Sequence, residues 1–350
     1  MTDLILHIGF PKTGTSYIQR HLFSQCSNFI GNSLWRQFAS QNSKVSDLGQ
    51  LIDMHQFGHT SSLEEETKSW IDQIRYIQQY QIPESDTLII SREGLTRWHL
   101  DERALSKWPI NIDSNTVRYR PSPIASFLKN YLLPKWKIFG NIKIILVLRN
   151  QPDWLASLYA QSSNLFFNAS QKDFEQKISQ MIKRDDSYID WTSWVDEFKT
   201  ILGKENVCVL LMEQMGTLEF WQKFTSFMSL KELSVDNFVY NQTLHVNVKR
   251  ENSNIWKLRE FHPHLALTHR WPANQFPKTR RLVLKYMNIK EHTWEPWDLV
   301  SISLSKLSKF KREPNIQLTP ESRKKILDYI SIQNSRLSEM LGHNLTPLGY

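Results

Sequence analysis

Residues 4 to 22 read LILHIGFPKTGTSYIQRHL, an apolar run followed by a glycine-containing turn and then by a helical pattern. This order constrains the fold, because a helix that starts directly after a buried strand leaves backbone N–H groups unpaired at its N-terminus. Those N–H groups and the helix dipole together attract an anion such as phosphate. The segment therefore predicts a phosphate-binding loop between a strand and a helix.

The loop differs from the common ATP-binding loop in the position of its lysine. In the ATP loop, Gly-x4-Gly-Lys-Ser/Thr, the lysine follows the second glycine and the next hydroxyl binds Mg²⁺. Here Lys12 precedes Gly14, and Thr15 and Ser16 come after that glycine. Gly14 lets the backbone approach the anion closely, and Lys12 supplies a mobile positive charge that can follow a leaving oxygen. The sequence therefore predicts anion chemistry with a different lysine geometry.

Short apolar runs alternate with longer amphipathic segments along the chain, which is typical of an α/β protein. The predicted strands are nearly continuous in apolar residues, as expected for strands buried on both faces of a parallel sheet. They cover Leu4–Ile8, Thr87–Ser91, Lys143–Leu148 and Val207–Met212. The predicted helices cover Thr15–Phe23, Leu63–Tyr80, Pro123–Tyr131, Asp153–Leu165, Ser187–Leu202, Leu218–Met228, Asn252–Phe261 and Pro320–Leu341.

The net charge of +8 favours anionic partners. No run of five Lys or Arg and no Cys/His finger spacing occurs, so we do not expect nucleic acid as a partner. Two cysteines, Cys26 and Cys208, are too few for a disulfide framework and fit a reducing compartment. No window reaches 18 apolar residues, so no transmembrane segment is expected. We therefore expect a cytoplasmic protein.

The segment HIGFPKTGTSYIQ closely resembles the 5′-phosphosulfate-binding loop of sulfotransferases that use 3′-phosphoadenosine 5′-phosphosulfate (PAPS). The family pattern runs apolar-Gly-x-Pro-Lys-Thr/Ser-Gly-Thr-Thr/Ser and continues as a helix. The resemblance implies that Lys12 contacts the bridging oxygen of the phosphosulfate, and that Thr13, Gly14, Thr15 and Ser16 surround the 5′-phosphate. It also implies a three-layer α/β/α fold with a central, mainly parallel sheet, the P-loop-like sulfotransferase fold.

A second segment, KIILVLRNQPDWLASLYAQ at residues 143 to 161, resembles the 3′-phosphate site of the same family. Arg149 follows a predicted strand, and Ser157 comes eight residues later in a predicted helix, as in the family pattern. An arginine at a strand end can bind a phosphate with two N–H groups. The family often has Asp-Pro after the arginine, whereas Asn150-Gln151-Pro152 is closer to bacterial and carbohydrate-type members. Alone, Arg149 would more simply form a structural ion pair.

The general base that sulfuryl transfer needs has two candidates. Glu93 follows a predicted strand in DTLIISREGL, and Ser91-Arg92-Glu93 resembles the Ser-x-Glu of carbohydrate-type sulfotransferases. A carboxylate there could instead satisfy the turn at Gly94. His99, six residues later, is the alternative base.

Two cations and three histidines complete the candidates. Lys249 and Arg250 lie near the position of the family's nucleotide-covering loop, and the resemblance implies donor contacts, although a solvated pair is the simpler interpretation. His262, His264 and His269 lack the flanking spacing of a zinc site, so we expect no metal.

Taken with the resemblance, these segments imply an enzyme that transfers a sulfuryl group from PAPS to an acceptor hydroxyl and releases adenosine 3′,5′-bisphosphate (PAP). The Ser-x-Glu and the Trp-rich segments favour a carbohydrate or glycan acceptor, although core packing is the simpler interpretation of the 13 tryptophans. The alternatives are a P-loop-type nucleotide or small-molecule kinase and a non-catalytic nucleotide-binding relative. We expect one domain over residues 1–350, with a less regular acceptor-side segment around 262–318.

Overall fold

A five-stranded parallel sheet forms the centre of the computed structural model, which describes residues 2–30, 48–56, 60–81, 87–93, 123–166, 168–183, 189–229, 254–260 and 313–350. Its strands are β1 (Asp3–Gly9), β2 (Phe29–Ile30), β3 (Thr87–Glu93), β4 (Ile142–Leu148) and β5 (Val207–Leu211). They lie in the order β2-β3-β1-β4-β5, and every neighbouring pair is parallel. The predicted parallel sheet is therefore confirmed.

The sheet is buried on both faces, which explains the continuous apolar runs. Along β1, Leu4, Leu6 and Ile8 belong to one hydrophobic core, whereas Ile5 belongs to a second core on the other face. Successive side chains of a strand point to opposite faces, so each strand needs apolar residues at nearly every position when both faces are covered.

Helices cover each face and give three layers. The second core is covered by α1 (Thr15–His21) and, after β5, by the helix at Leu218–Phe227. Two helices on either side of Ile330 pack against the first core, and so do the seven described helices that lie between α1 and Leu218–Phe227 in the chain. The seven are α2 (Leu48–Gln56), α3 (Thr60–Gln81), α4 (Pro123–Phe127), α5 (Leu133–Trp136), α6 (Gln151–Ser162), α7 (Gln171–Lys183) and α8 (Trp191–Leu202). A π-helical turn at Leu128–Leu132 joins α4 to α5, and the helix at Leu218–Phe227 is α9.

The later part of the chain departs from the sequence prediction. The helix predicted at Asn252–Phe261 is wrong, because β6 (Ile255–Lys257) pairs there with the antiparallel strand β7 (Asn315–Gln317). Only the middle residue of each strand is buried, so this pair follows a period of two rather than 3.6.

The helix predicted at Pro320–Leu341 is divided at Ile330 into α10 (Pro320–Tyr329) and α11 (Ser331–Leu341). Residues 262–312 of the predicted irregular segment lie outside the described residues.

The helix α7 was not predicted, although its sequence contains a clear signal. Phe174, Ile178 and Met181 are buried and follow one another at spacings of four and three, as one face of a helix requires. The exposed residues between them are mostly charged or polar, so the amphipathic pattern alone indicates a helix at the surface of the first core.

The strand order brings three chain segments to one edge of the sheet. β1 lies between β3 and β4, and Gly9 at its end pairs with Glu93 on one side and Val147 on the other. The chain fills one side of β1 with β2 and β3 and then the other side with β4 and β5. Ligands of open parallel sheets bind beyond the strand ends where the order reverses in this way.

Of the described residues of β1, His7 is the one polar residue whose side chain lies inside the second core. This side chain is fully buried. Its Nδ1 lies 2.7 Å from Ser91 Oγ, which also accepts a hydrogen bond of 3.0 Å from Gln19 Nε2. The His7 Nε2 atom has no hydrogen-bond partner within the described ranges. Burial lowers the pKa of His7 from 6.5 to about 3, so the imidazole stays neutral in the folded protein.

This neutral histidine predicts loss of stability in mild acid. As the pH falls below 6.5, the unfolded chain binds a proton at His7 before the folded chain does. Between pH 8 and pH 5 the contribution of His7 should reduce the free energy of unfolding by about 2 kcal/mol. Urea unfolding at both pH values measures this decrease. In the His7→Asn variant most of the decrease that His7 causes should be absent. An equal decrease in the variant would contradict the assignment to His7.

Candidate active site

The loop between β1 and α1 has the backbone of an anion site. Lys12 and Gly14 both adopt left-handed conformations, with φ of 67° and 81°. Left-handed residues inside a tight turn curve the chain so that successive N–H groups converge on one point. Gly14 is the N-cap of α1 and provides no side-chain cap, so the N-terminal end of the helix faces the loop directly.

Three consecutive carbonyl groups of this loop are each held by a side chain. The bonds are Thr13 Oγ1 to the Phe10 carbonyl at 2.7 Å, Trp154 Nε1 to the Pro11 carbonyl at 2.7 Å, and Arg149 Nη1 to the Lys12 carbonyl at 3.2 Å. In a trans peptide group the carbonyl and the following N–H point in opposite directions. The N–H groups of Lys12 and Thr13 therefore point away from Trp154 and Arg149, on the side where an anion would bind.

Gly9 is needed because the backbone there is tightly enclosed, and Gly14 is needed because its φ of 81° is unfavourable for a residue with a Cβ. A Cβ added at Gly9 would lie 2.1 Å from Thr15 Oγ1, and one added at Gly14 would lie 2.4 Å from Met215 Cε. The Thr15 hydroxyl is buried and has no hydrogen-bond partner in the described part of the chain, whereas Ser16 is exposed. A buried hydroxyl without a partner fits a site that binds an oxygen of a ligand.

Arg149 directly follows β4. Its guanidinium donates a hydrogen bond to the Lys12 carbonyl in the loop between β1 and α1, which we call the first loop. Burial lowers the pKa of Arg149, and the charges of Asp153, Glu213 and Tyr350 oppose that shift. Asp153 forms its ion pair with Arg323. The guanidinium remains charged in any case, because arginine is not deprotonated in proteins. The structure therefore brings the Arg149 guanidinium against the backbone of Lys12, and a shared ligand site for the two residues stays a prediction.

The backbone after Arg149 is fixed by Glu213, which follows β5. Its Oε1 accepts hydrogen bonds of 2.8 Å from both the backbone N–H and the side-chain amide of Asn150. Its Oε2 accepts one of 3.1 Å from the Tyr350 hydroxyl. Asn150 Oδ1 in turn caps α6 by accepting from the Asp153 N–H at 3.0 Å. Burial raises the pKa of Glu213, and the hydrogen bonds from Asn150 oppose that rise.

Removing this carboxylate should destabilise the fold. Glu213→Ala leaves two N–H groups of Asn150 and the Tyr350 hydroxyl without their acceptor. Buried donors without a partner cost about 1–3 kcal/mol each, so we expect a loss of about 3 kcal/mol in the free energy of unfolding. Glu213→Gln keeps one acceptor oxygen and should cost about 1 kcal/mol. Chemical unfolding of both variants measures the difference, and equal losses would argue against the hydrogen-bonded role.

The other predicted site residues differ in how far the structure describes them. Ser157 is half-buried on α6, about two turns after Arg149, and its hydroxyl forms no hydrogen bond within the described ranges. Glu93 is the last residue of β3, and its backbone pairs with Gly9 at the start of the loop. His99, Lys249 and Arg250 lie outside the described residues.

The sequence does not predict the hydrogen bonds that hold the backbone of the candidate site in place. Trp154, Asn150 and Tyr350 each form a hydrogen bond to a residue far away in the chain. The motif match covered the helix that contains Trp154 but gave no reason to connect its indole with the loop after β1. Only the fold brings these residues together.

Among the residues that the structure describes, no group of three or more His, Cys, Asp or Glu side chains is arranged to hold a metal ion. None of the described helices combines the length and apolar character needed to cross a membrane.

Comparison with known families agrees with this geometry. The family model described as the sulfotransferase domain matches residues 2–237, which is well over half of the chain. The matched range includes the loop after β1, the turn after β4 and the strand that precedes Glu213. Among curated proteins, none matches the chain. The family match agrees with the parallel sheet between two layers of helices and with the Lys12 loop. We conclude that the chain belongs to the sulfotransferase domain family.

Proposed function

We propose that this sulfotransferase takes its sulfuryl group from PAPS and transfers it to a hydroxyl of a carbohydrate or glycan. The observation that carries the proposal is the 3.2 Å hydrogen bond between Arg149 Nη1 and the Lys12 carbonyl. It joins two candidate phosphate sites that follow neighbouring strands, β1 and β4. A nucleotide with phosphates at both its 5′ and 3′ positions requires two such sites close together.

The donors at this site suit the phosphate oxygens of PAPS. The first loop offers the N–H groups of Lys12 and Thr13 and the buried hydroxyl of Thr15. The second site offers the guanidinium of Arg149 and the hydroxyl of Ser157. Guanidinium and hydroxyl groups bind phosphate through charge-assisted hydrogen bonds. We assign the 5′-phosphosulfate to the first loop, together with Gly14 and Ser16, and the 3′-phosphate to the second.

In the proposed reaction the acceptor oxygen forms a new bond to sulfur while the bond from sulfur to the bridging phosphate oxygen breaks. PAP leaves with the negative charge of that oxygen, and the Lys12 ammonium and the N-terminus of α1 stabilise this charge as it develops. The acceptor proton passes to a general base. Positioning and charge stabilisation therefore account for most of the catalysis, as in phosphoryl transfer.

We propose Glu93 as that base, with His99 as the alternative. Glu93 ends β3 next to Gly9, so its backbone lies beside the start of the Lys12 loop. Lys249 and Arg250 are proposed as further contacts of the donor. The carbohydrate acceptor rests on the resemblance of Ser91-Arg92-Glu93 to carbohydrate-type members. The Ser91 side chain itself is buried and hydrogen-bonded to His7. Within this motif, only residues 92 and 93 are therefore proposed to contact the acceptor.

The proposal also covers the domain organisation and the compartment. Trp256 of β6, Ile316 of β7 and Ile326 of α10 pack in the same core as Leu4 of β1, which supports a single domain that extends beyond the family match. Cys26 and Cys208 are both free thiols, which supports a reducing compartment such as the cytoplasm.

Two measurements test the proposed function. PAP should raise the melting temperature in the presence of EDTA, because a ligand at 100 times its Kd stabilises the folded state by about 2.7 kcal/mol. Labelled sulfate should then pass from PAPS to a pool of glycans. Stabilisation by Mg-ATP but not by PAP would favour a kinase. Stabilisation by PAP without transfer to glycans, lipids or phenols would favour a non-catalytic binding protein.

A further inference from the structure

We propose that Trp154 is a positioning residue for the 5′-phosphosulfate, acting through the carbonyl group of Pro11. The proposal rests on the proposed function, because it concerns how the first loop holds its ligand. Trp154 lies on α6, outside the loop, and its side chain is fully buried. Its indole Nε1 donates a hydrogen bond of 2.7 Å to the Pro11 carbonyl.

The backbone at Lys12 explains why this hydrogen bond matters. Lys12 is not a glycine, yet its φ is 67°, in the left-handed region that is unfavourable for residues with a Cβ. Rotating the Pro11–Lys12 peptide group by about half a turn would change ψ of Pro11 and φ of Lys12 and return Lys12 to a favourable negative φ. The same rotation would turn the Lys12 N–H away from the anion, because the N–H and the Pro11 carbonyl exchange directions.

Trp154 opposes this rotation. A flipped peptide group would move the Pro11 carbonyl away from the indole and remove the acceptor of this 2.7 Å hydrogen bond. The relaxed loop would therefore break a buried hydrogen bond, and the strained loop keeps it. Strain of this kind persists where the surroundings determine the conformation, and it is found at ligand-binding sites.

The indole can hold the peptide group because its own orientation is fixed. Its ring packs edge-on against Phe10 and Trp191, with centroid distances of 6.3 and 5.0 Å. Trp191 donates its own indole N–H to the Arg149 carbonyl at 2.9 Å. One aromatic cluster thus supports the backbone at both candidate phosphate sites, and Trp154 supports the one that carries Lys12.

The test compares two ligands that differ only in the 5′-phosphate. Titration calorimetry gives both dissociation constants, and the Kd of adenosine 3′-monophosphate divided by the Kd of PAP isolates the contribution of the first loop. In Trp154→Phe, which keeps an aromatic ring but lacks the N–H, this ratio should fall about tenfold, the effect of one hydrogen bond. The Kd of adenosine 3′-monophosphate should stay within about twofold of the wild-type value.

Trp136→Phe is the matched control. Trp136 on α5 is equally buried, but its indole N–H has no partner among the described residues. This substitution removes the same atoms from the core without removing a hydrogen bond, so the ratio should stay at its wild-type value. If Trp154→Phe lowers the melting temperature but leaves the ratio unchanged, Trp154 only fills the core and the proposal is overturned.

A second measurement uses the wild-type protein and needs no folded variant. PAP should slow hydrogen exchange of the Trp154 indole N–H about tenfold, because the bound 5′-phosphate favours the peptide orientation that this group holds. Adenosine 3′-monophosphate should not do so, and the Trp136 indole should respond to neither ligand. Equal exchange of the Trp154 indole with and without PAP would overturn the proposal. If the wild-type protein binds no PAP at all, the proposed function fails and the role of Trp154 fails with it.

Discussion

Replacing Lys12 with alanine is expected to lower kcat by about 10³-fold, the loss seen when a group that stabilises charge in the transition state is removed. The reason is that negative charge develops on the bridging oxygen only as its bond to sulfur breaks. An interaction that strengthens in the transition state contributes to kcat more than to ground-state binding. The KM for PAPS should therefore change by less than about tenfold. Steady-state transfer of labelled sulfate measures both constants.

The backbone makes this substitution a clean test of the charge. Alanine at φ of 67° carries about the same conformational cost as lysine, so the loop should keep its shape. Lys68→Ala is the control, because this lysine is exposed on α3 and should leave kcat unchanged. A Lys12→Ala variant that retains kcat within tenfold of the wild type, or that changes KM alone, would show that another group neutralises the leaving oxygen.

The strands of the parallel sheet could be predicted because burial on both faces makes their sequences continuously apolar. β1, β4 and β5 each match their predicted runs to within one residue at either end. β6 could not be predicted, because three residues carry too little periodicity and its partner β7 lies far along the chain. The break at Ile330 was also missed, because Ile330 is a buried apolar residue in the helical pattern and the sequence there has no glycine or proline.

The candidate site likewise contains residues whose placement could be predicted and residues whose placement could not. Lys12 and Arg149 could be predicted to converge, because each follows a strand of one parallel sheet and parallel strands end at the same edge. The supporting contacts could not be predicted. Trp154 meets Pro11, and Tyr350 meets Glu213, only after the chain has folded. Local patterns indicate candidate ligand-binding residues, but they do not indicate the residues that hold the backbone of the site in place.

Replacing Arg149 with alanine is expected to raise the Kd of PAP by about 100-fold, while the Kd of adenosine 5′-monophosphate stays within about threefold. A guanidinium that is largely withdrawn from water binds phosphate more strongly than an exposed one, because solvent screens the interaction less. Arg149→Lys keeps the charge but loses the paired N–H geometry, so an increase of about tenfold is expected. Titration calorimetry with the two nucleotides separates the effect at the 3′-phosphate from any effect at the 5′-phosphate.

The two nucleotides also decide between two roles of Arg149. In the structure its Nη1 binds the Lys12 carbonyl, so the arginine could act on the first loop instead of on the ligand's 3′-phosphate. A loop effect would weaken both nucleotides equally, because both carry the 5′-phosphate. Direct binding of the 3′-phosphate would weaken PAP alone. Equal losses would therefore remove Arg149 from the second phosphate site and leave it as a support of the Lys12 loop.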